Sequence, residues 1–225
     1  MSTLSPNPPP TRPGRFDNGQ EWIESLGDVP LHRVLFNPAP GTATEEDLLR
    51  HVDGAAKRLV ELVNGTLVEK PMGQLEAMLA LWLGSRILMV VEANRLGWVY
   101  GADCPIRMAA ANVRLPDVSF VARETTAGKI EKSRVLRAWP SLVVEIWSDS
   151  NTRREMQIKR QECFASGTKL VWEIDWRTRT VEVYTRPESP DATLTEADTL
   201  DGGSVLPGFS VPIKQLFSVL DDLEP

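Results

Sequence analysis

Two short apolar segments separated by a charged segment constrain the fold of this chain most. Residues 141–147 and 169–175 are mainly apolar runs of the length typical of strands, each interrupted by a glutamate. Residues 152–166 are rich in charge, favour a helix and are followed by Gly167. Residues 180–185 predict a further strand that pairs with the second apolar run across a short turn. No internal repeat is visible, and strands that alternate with a helix predict one mixed α/β domain.

Local signals before these segments predict a hairpin and two helices. Asn64 and Gly65 separate two apolar runs, and both residues tolerate the positive φ that a two-residue hairpin turn requires. Apolar side chains recur at three- and four-residue steps over residues 74–96, which predicts a long helix. Thr44, a hydroxyl cap followed by three acids, predicts a short helix that runs towards Val52. Further extended runs are predicted at residues 98–100, 106–109, 113–115 and 117–121.

The N-terminal part of the chain differs in composition from the rest. Five of the first thirteen residues are proline, which lacks a backbone N–H donor and favours extended conformations. We therefore predict a flexible, Pro-rich N-terminal extension over residues 1–43 and a folded domain over residues 44–225. A disordered terminus without any binding role explains this composition most simply.

Composition disfavours several classes of protein. No apolar run of eighteen residues is free of charge, and the first residues lack an apolar core, so neither a membrane span nor a secretory signal is expected. Cys104 and Cys163 have no C-x-x-C spacing, which predicts a cytoplasmic protein without a disulfide or a zinc site. His32 and His51 are the only histidines, and G-x-S-x-G and phosphate-loop motifs are absent. Neither a Ser-His-Asp hydrolase nor an organic cofactor is therefore expected.

The formal net charge of −6 is distributed unevenly along the chain. Residues 188–225 hold eight acids and one lysine, so the rest of the chain has 24 basic and 23 acidic side chains. Residues 107–137 contain seven basic and three acidic side chains. The net charge argues against tight, sequence-independent coating of DNA, but its distribution leaves room for a local phosphate-binding face.

Carboxylates are the side chains most informative about function. Glu145 lies in the middle of an apolar strand, where an ionised acid is costly unless it is paired or bound to a metal. Asp117 directly follows Pro116, which marks the edge or the start of another strand. If the two strands are neighbours, both acids reach one small site, and their oxygens favour Mg2+ or Mn2+. Lys159, about two turns into the following helix, could hold a water or offset phosphate charge.

Each of these three residues also has a purely structural explanation. Asp117 could cap a turn, Glu145 could belong to an ion pair, and Lys159 could be a solvated charge on the helix. Their combination in this order along the chain is more specific than any one of them.

Several motifs of this sequence resemble the Uma2 family. They are ELVNGTLVEKPMG at residues 61–73, RLPDVSFV at 114–121, PSLVVEIWSDSNT at 140–152, EMQIKR at 155–160 and LPGFSVP at 206–212. The similarity extends from about residue 44 to residue 217. The family groups restriction-endonuclease-like proteins of the PD-(D/E)XK nuclease superfamily. The resemblance therefore implies a restriction-endonuclease-like α/β (α+β) core: a central mixed β-sheet flanked by helices, with an N-terminal β-hairpin.

The resemblance also implies catalytic residues. Asp117 takes the place of the first aspartate of the superfamily and Glu145 that of its second acid. The lysine of the superfamily normally stands two residues after that acid, where this chain has Trp147. In this family a lysine on the next helix replaces it, and Lys159 is the match.

Ligands and partners follow from the same resemblance. Glu69, Asp117 and Glu145 would hold Mg2+ or Mn2+, with Glu61 as a further acid nearby. The implied activity is that of a metal-dependent endodeoxyribonuclease that hydrolyses DNA phosphodiester bonds, and a homodimer would present two sites to two strands. The arginines that could bind substrate phosphates, or simply be solvated, are Arg114, Arg153 and Arg154.

Two other classes of function remain open at this stage. One is a catalytically inactive DNA-binding or regulatory protein that keeps the nuclease fold. The other is a protein-interaction module whose acidic C-terminal segment, residues 188–225, contacts a basic partner.

Overall fold

The chain folds into the expected α+β structure, and its strands form two main sheets. The computed structural model describes residues 16–54, 58–71, 73–221 and 223. Its strands are β1 (Val34–Leu35), β2 (Val60–Val63), β3 (Thr66–Glu69), β4 (Gly97–Gly101), β5 (Ile106–Arg107), β6 (Val113–Arg114), β7 (Val118–Ala122), β8 (Leu142–Ile146), β9 (Leu170–Asp175), β10 (Thr180–Tyr184), β11 (Ala192–Leu194), β12 (Thr199–Asp201) and β13 (Ser210–Pro212). Its α-helices are α1 (Gly19–Ser25), α2 (Glu45–Asp53), α3 (Gln74–Asn94), α4 (Arg153–Ser166) and α5 (Ile213–Phe217).

The central sheet is mixed. Its six strands lie in the order β11-β10-β9-β8-β7-β4. β8 and β9 are parallel, with Glu145 opposite Glu173, and the other neighbours are antiparallel. A parallel pair needs a crossover connection, which α4 supplies.

Different helices cover the two faces of this sheet, because successive side chains of a strand point to opposite faces. In β8, Val144 packs in one core cluster with residues of α3 and α5. Val143 belongs to a second cluster, which contains Cys163 of α4. Glu145 alternates with Val144 and therefore faces α4.

The long helix α3 is mainly a core element. Its side chains Leu79, Leu83, Ile87 and Val91 are buried against the central sheet. By length and composition alone α3 could cross a membrane, and it is the only helix of the described ranges that meets this test. Its packing against the sheet is that of a core helix, although its outer face keeps exposed apolar side chains. These are Leu81, Leu88 and Met89.

The predicted hairpin is confirmed, and it lies in the second sheet. β2 and β3 pair in antiparallel fashion, and the turn residues Asn64 and Gly65 have φ of 47° and 70°. The order of this five-stranded sheet is β1-β3-β2-β6-β5. Leu62 pairs with Val113, so the hairpin lies beside the segment that leads into β7.

The boundary expected after residue 43 does not hold, because residues 16–43 are part of the fold. β1 pairs with β3, and the guanidinium of Arg33 donates to both carboxylate oxygens of Glu155 on α4, at 2.7 and 2.9 Å. Gly27 has φ of 85°, and a Cβ there would lie 2.5 Å from the Glu155 Cα. Elements as short as a seven-residue helix and a two-residue strand carry too little periodicity to be recognised in the sequence. Residues 1–15, which contain the prolines, lie outside the described residues.

The acidic C-terminal segment is folded against the core as far as residue 221. β11 adds an edge strand to the central sheet, and β12 and β13 form a separate pair. Phe209, Ile213 and Phe217 are buried in the cluster that α3 shares. The acidic segment is therefore part of the folded core, and a contact with a basic partner would involve its exposed face rather than a free tail.

Candidate active site

Asp117 and Glu145 are brought together by the pairing of β7 with β8. Val118 lies opposite Val144, and the backbone N–H of Asp117 donates to the Val144 carbonyl at 3.1 Å. The backbone N–H of Ile146 donates to Asp117 Oδ2 at 2.7 Å. Both carboxylates are buried, and β7 and β8 are neighbouring strands, which was the condition for one shared site.

Lys159 reaches this pair of acids from α4. The helix begins after Thr152, whose hydroxyl accepts from the N–H of Glu155. The Lys159 ammonium lies 3.1 Å from Glu145 Oε2 and 3.4 Å from Glu61 Oε1, and its side chain is 4% exposed. One buried cation therefore joins an acid of the central sheet to an acid of the hairpin.

The hairpin contributes Glu61 and Lys70. Glu61 Oε1 accepts from the backbone N–H of Leu115 at 3.1 Å. The Lys70 ammonium lies 2.7 Å from Asp117 Oδ1 and donates to the Leu115 carbonyl at 2.6 Å. Two lysine ammonium groups thus contact three buried carboxylates.

Arg114 closes the site on the side of the second sheet. Its guanidinium donates to Glu61 Oε2 at 2.9 Å and to both oxygens of Glu162, at 2.7 and 3.0 Å. Asn112 also donates to Glu162, at 2.8 Å. Arg114 is 3% exposed, so in this structure it is a counter-ion of the acids rather than a surface group open to phosphate.

Burial and neighbouring charges separate the proton affinities of the acids. Burial raises the pKa of Glu145 to about 7, against the lowering effect of Lys159, and Asp117 adds to the rise. Burial also acts to raise the pKa of Glu61, but Lys159, Arg114 and the Leu115 N–H together lower it to about 2. Burial lowers the pKa of Lys159, yet Glu145 and Glu61 outweigh it and hold the pKa above its ordinary value. Lys159 is therefore charged at neutral pH.

Other residues suggested by the sequence lie apart from this cluster. Glu69 ends β3 half-buried, and its backbone carbonyl accepts from Arg33 at 2.9 Å. Because Lys70 points to Asp117, the preceding side chain of the extended chain points the other way. Arg153 and Arg154 are exposed, and Arg154 lies 3.3 Å from Asp28.

Sequence reasoning missed Lys70 and Glu162 as members of the site. The position of Lys70 at the end of an apolar strand was a possible signal. However, the sequence does not show whether Glu69 or Lys70 points towards Asp117, because that depends on the register of β3. Glu162 follows Lys159 by three residues and thus lies on the same side of α4.

Asp117 and Glu145 are the two buried carboxylates of this cluster that could hold a hard divalent cation. Within the described ranges, no group of three or more His, Cys, Asp or Glu side chains is arranged to hold a metal ion. Mg2+ is commonly bound through one or two carboxylates, with water and substrate phosphate completing its shell. Asp117 and Glu145 supply two such carboxylates, which in this structure contact the ammonium groups of Lys70 and Lys159.

Two clefts lie beside the central sheet, and one of them borders the cluster at Asp117. One has a volume of about 400 Å3, lies between α3 and β4, and has Asp117 and Tyr100 in its lining. The other, of about 520 Å3, is polar and lies at the end of β8 and β9, with Trp147 and Arg153 in its lining.

Comparison with known proteins agrees with this architecture. Residues 46–214 match the model of the Uma2 family, described as "Putative restriction endonuclease". A solved structure described as a putative nuclease belonging to DUF820, from Anabaena variabilis, has a TM-score of 0.64 and 23% sequence identity. That similarity covers 73% of this chain and 92% of the Anabaena chain, and it shows a shared fold. No curated protein matches the chain. Because the family match spans most of the sequence, the chain belongs to the Uma2 family of restriction-endonuclease-like proteins.

Proposed function

We propose that this protein is a metal-dependent endonuclease that hydrolyses DNA phosphodiester bonds at Asp117, Glu145 and Lys159. The observation that carries the proposal is the buried Lys159 ammonium, 3.1 Å from Glu145 and next to the strand pair that presents Asp117. Buried charges are costly, and their grouping on adjacent elements is typical of sites that do chemistry. Membership of the family supports the same activity.

The residues of the site divide the work of phosphodiester hydrolysis. Asp117 and Glu145 would hold Mg2+ or Mn2+. The bound ion would supply electrostatic stabilisation of phosphate charge and make a coordinated water more acidic. Lys159 stays charged and can donate a hydrogen bond to the attacking water or to a phosphate oxygen. Glu61 orients Lys159, and Arg114 in turn orients Glu61. Both therefore act as positioning residues.

The substrate and the assembly are part of the same proposal. DNA would approach through the clefts beside Asp117 and Trp147, where Arg153 is exposed to bind a phosphate. A homodimer is supported by the exposed apolar side chains Leu81 and Met89 on α3. Both cysteines are free thiols, which supports a cytoplasmic location.

Nicking of supercoiled plasmid tests this activity. Purified wild-type protein should nick DNA with Mg2+ or Mn2+ and lose that activity in excess EDTA. Glu145→Gln and Lys159→Met should each lower the rate at least about a hundredfold, because the first removes a charged ligand of the proposed metal ion and the second removes a cation next to the reacting phosphate. Glu188→Gln, which changes an exposed acid in the C-terminal segment, is the matched control. Cleavage that persists at the wild-type rate in the Glu145→Gln/Lys159→Met double variant would refute the assignment.

A second candidate is a DNA-binding protein without nuclease activity. It is favoured by Lys70, whose ammonium occupies Asp117 Oδ1, and by the bulky Trp147 at the position of the usual lysine. Gel-shift binding that is as strong in Glu145→Gln as in wild type, without nicking by either protein in Mg2+ or Mn2+, would identify this function.

A further inference from the structure

Lys70 is the member of the cluster whose role neither the sequence motifs nor the proposed reaction explains. It directly follows β3, where its backbone N–H donates to the Leu59 carbonyl at 2.9 Å. Its side chain is 3% exposed, and among the described residues its ammonium contacts Asp117 Oδ1 at 2.7 Å and the Leu115 carbonyl at 2.6 Å.

The oxygens of Asp117 are not equivalent. Oδ2 accepts from the Ile146 N–H and so helps to hold β7 beside β8. Oδ1 is bound by Lys70. Oδ1 is therefore the oxygen at which a cation can join Asp117 to Glu145 with least disturbance of the strand pair, and it is the atom that the Lys70 ammonium contacts.

The charge balance gives Lys70 a clear role in the metal-free protein. Glu61, Asp117 and Glu145 are buried acids, and Lys159 lies between two of them. Lys70 is the partner of the third. Without it, Asp117 would remain buried with the Ile146 N–H as donor and, among the described residues, no cation in direct contact, which is strongly unfavourable.

We infer that Lys70 is a built-in substitute cation, which neutralises Asp117 in the metal-free protein and must leave Oδ1 before a divalent ion binds there. This inference rests on the proposed metal site. The lysine side chain suits the task, since it is a point charge on a flexible stem that can swing away while its charge stays near the substrate phosphate. Lys70 therefore sets the metal concentration at which the site fills.

Direct metal binding by Lys70→Met tests the inference without any nuclease assay. Mn2+ binding to the full chain is measured by the loss of the free-ion EPR signal, for wild type, Lys70→Met and Lys70→Arg. Lys70→Met should bind Mn2+ at least about tenfold more tightly, because an ammonium next to the ion is removed. Lys70→Arg keeps the charge and should not gain affinity. Lys169→Met, which removes an exposed lysine, should bind as wild type does.

Thermal unfolding gives a second, independent readout. In EDTA, Lys70→Met should melt below wild type, because Asp117 loses its counter-ion. Mn2+ at one high concentration should raise its melting temperature more than that of wild type, because the stabilisation by a ligand that binds only the folded state grows with the logarithm of its affinity. If Lys70→Met does not fold, Lys70→Gln replaces it, since its amide can still donate to the Leu115 carbonyl.

The possible outcomes separate this inference from the proposed nuclease. Tighter Mn2+ binding by Lys70→Met supports the substitute cation, even if no protein nicks DNA. Unchanged or weaker Mn2+ binding in a folded Lys70→Met overturns it, even if wild type is a metal-dependent nuclease. Absence of Mn2+ binding in all variants overturns both.

Discussion

Replacing Arg114 with methionine distinguishes a structural arginine from a phosphate-binding one. Methionine keeps most of the apolar length of the side chain but removes three donated hydrogen bonds and the positive charge. Glu61 would then lose one of the two cations that contact it, and Glu162 would lose its bidentate partner. A phosphate-binding arginine, in contrast, would be expendable for folding.

The expected loss of stability is large. Removing one partner of a buried ion pair costs about 3 to 5 kcal/mol, because the other charge stays in a poorly solvated position. Arg114 is 3% exposed and Glu61 is 1% exposed, so solvent screening gives little relief on the Glu61 side. The net stability of a domain is about 5 to 15 kcal/mol, so the variant should fold but with a much reduced margin.

Equilibrium urea unfolding followed by tryptophan fluorescence measures this loss. With a urea dependence of about 2 to 3 kcal/mol per M, the midpoint should fall by about 1 to 2.5 M. Adding Glu162→Gln to Arg114→Met should restore part of the loss, because the unpaired acid is then neutral. A midpoint within about 0.3 M of wild type, together with weaker DNA binding, would refute the structural interpretation and favour phosphate contact.

Three further predictions concern other parts of the fold. Burial raises the pKa of Glu173 to about 7 despite Arg160. The protonated Glu173 therefore stabilises the fold fully below its ordinary pKa, and this stabilisation is lost as the pH rises through 7. Glu173→Gln should therefore make the fall in unfolding free energy between pH 5 and 7 less steep, by up to about 1.4 kcal/mol per pH unit in urea titrations. Burial raises the pKa of Cys163 well above its usual range, and burial with Asp103 raises that of Cys104 to about 11. Iodoacetamide at pH 8 should thus modify Cys104 about a hundredfold more slowly than a free thiol and leave Cys163 intact until urea unfolds the protein, as mass spectrometry would show. Gly27→Ala should lower the melting temperature markedly, since its Cβ would overlap the backbone of Glu155, and a melting temperature equal to that of wild type would contradict the close packing.

The parts of the fold that the sequence predicted are those with strong local signals. Three features depend on local sequence: the Asn64-Gly65 turn, the apolar periodicity of α3 and the glycine that ends α4. The structure has each of them within two residues of the expected bounds. The same holds for Thr44, whose side chain caps α2. Short elements such as α1 and β1 were not predicted, because contacts with distant residues determine them.

The site was predictable only in part, for a related reason. The elements that carry Asp117, Glu145 and Lys159 follow one another along the chain, so their proximity could be expected from their order. The structure places the three side chains together. Lys70 and Glu61 come from the other sheet, so their contacts with the site depend on how the two sheets pack. Sequence periodicity carries no information about that packing.

The ion pair between Arg33 and Glu155 affects where the functional unit of this protein begins. The family match starts at residue 46, thirteen residues after Arg33. A shortened protein cut at that homology boundary would lose the guanidinium that neutralises Glu155, at the first turn of the helix that carries Lys159. Asn151, which donates to the same carboxylate, is neutral and cannot replace it. The shortest stretch of this chain that keeps the charge of Glu155 neutralised is therefore longer than the stretch that matches the family. Truncated proteins should retain residues from at least Asn18 onwards.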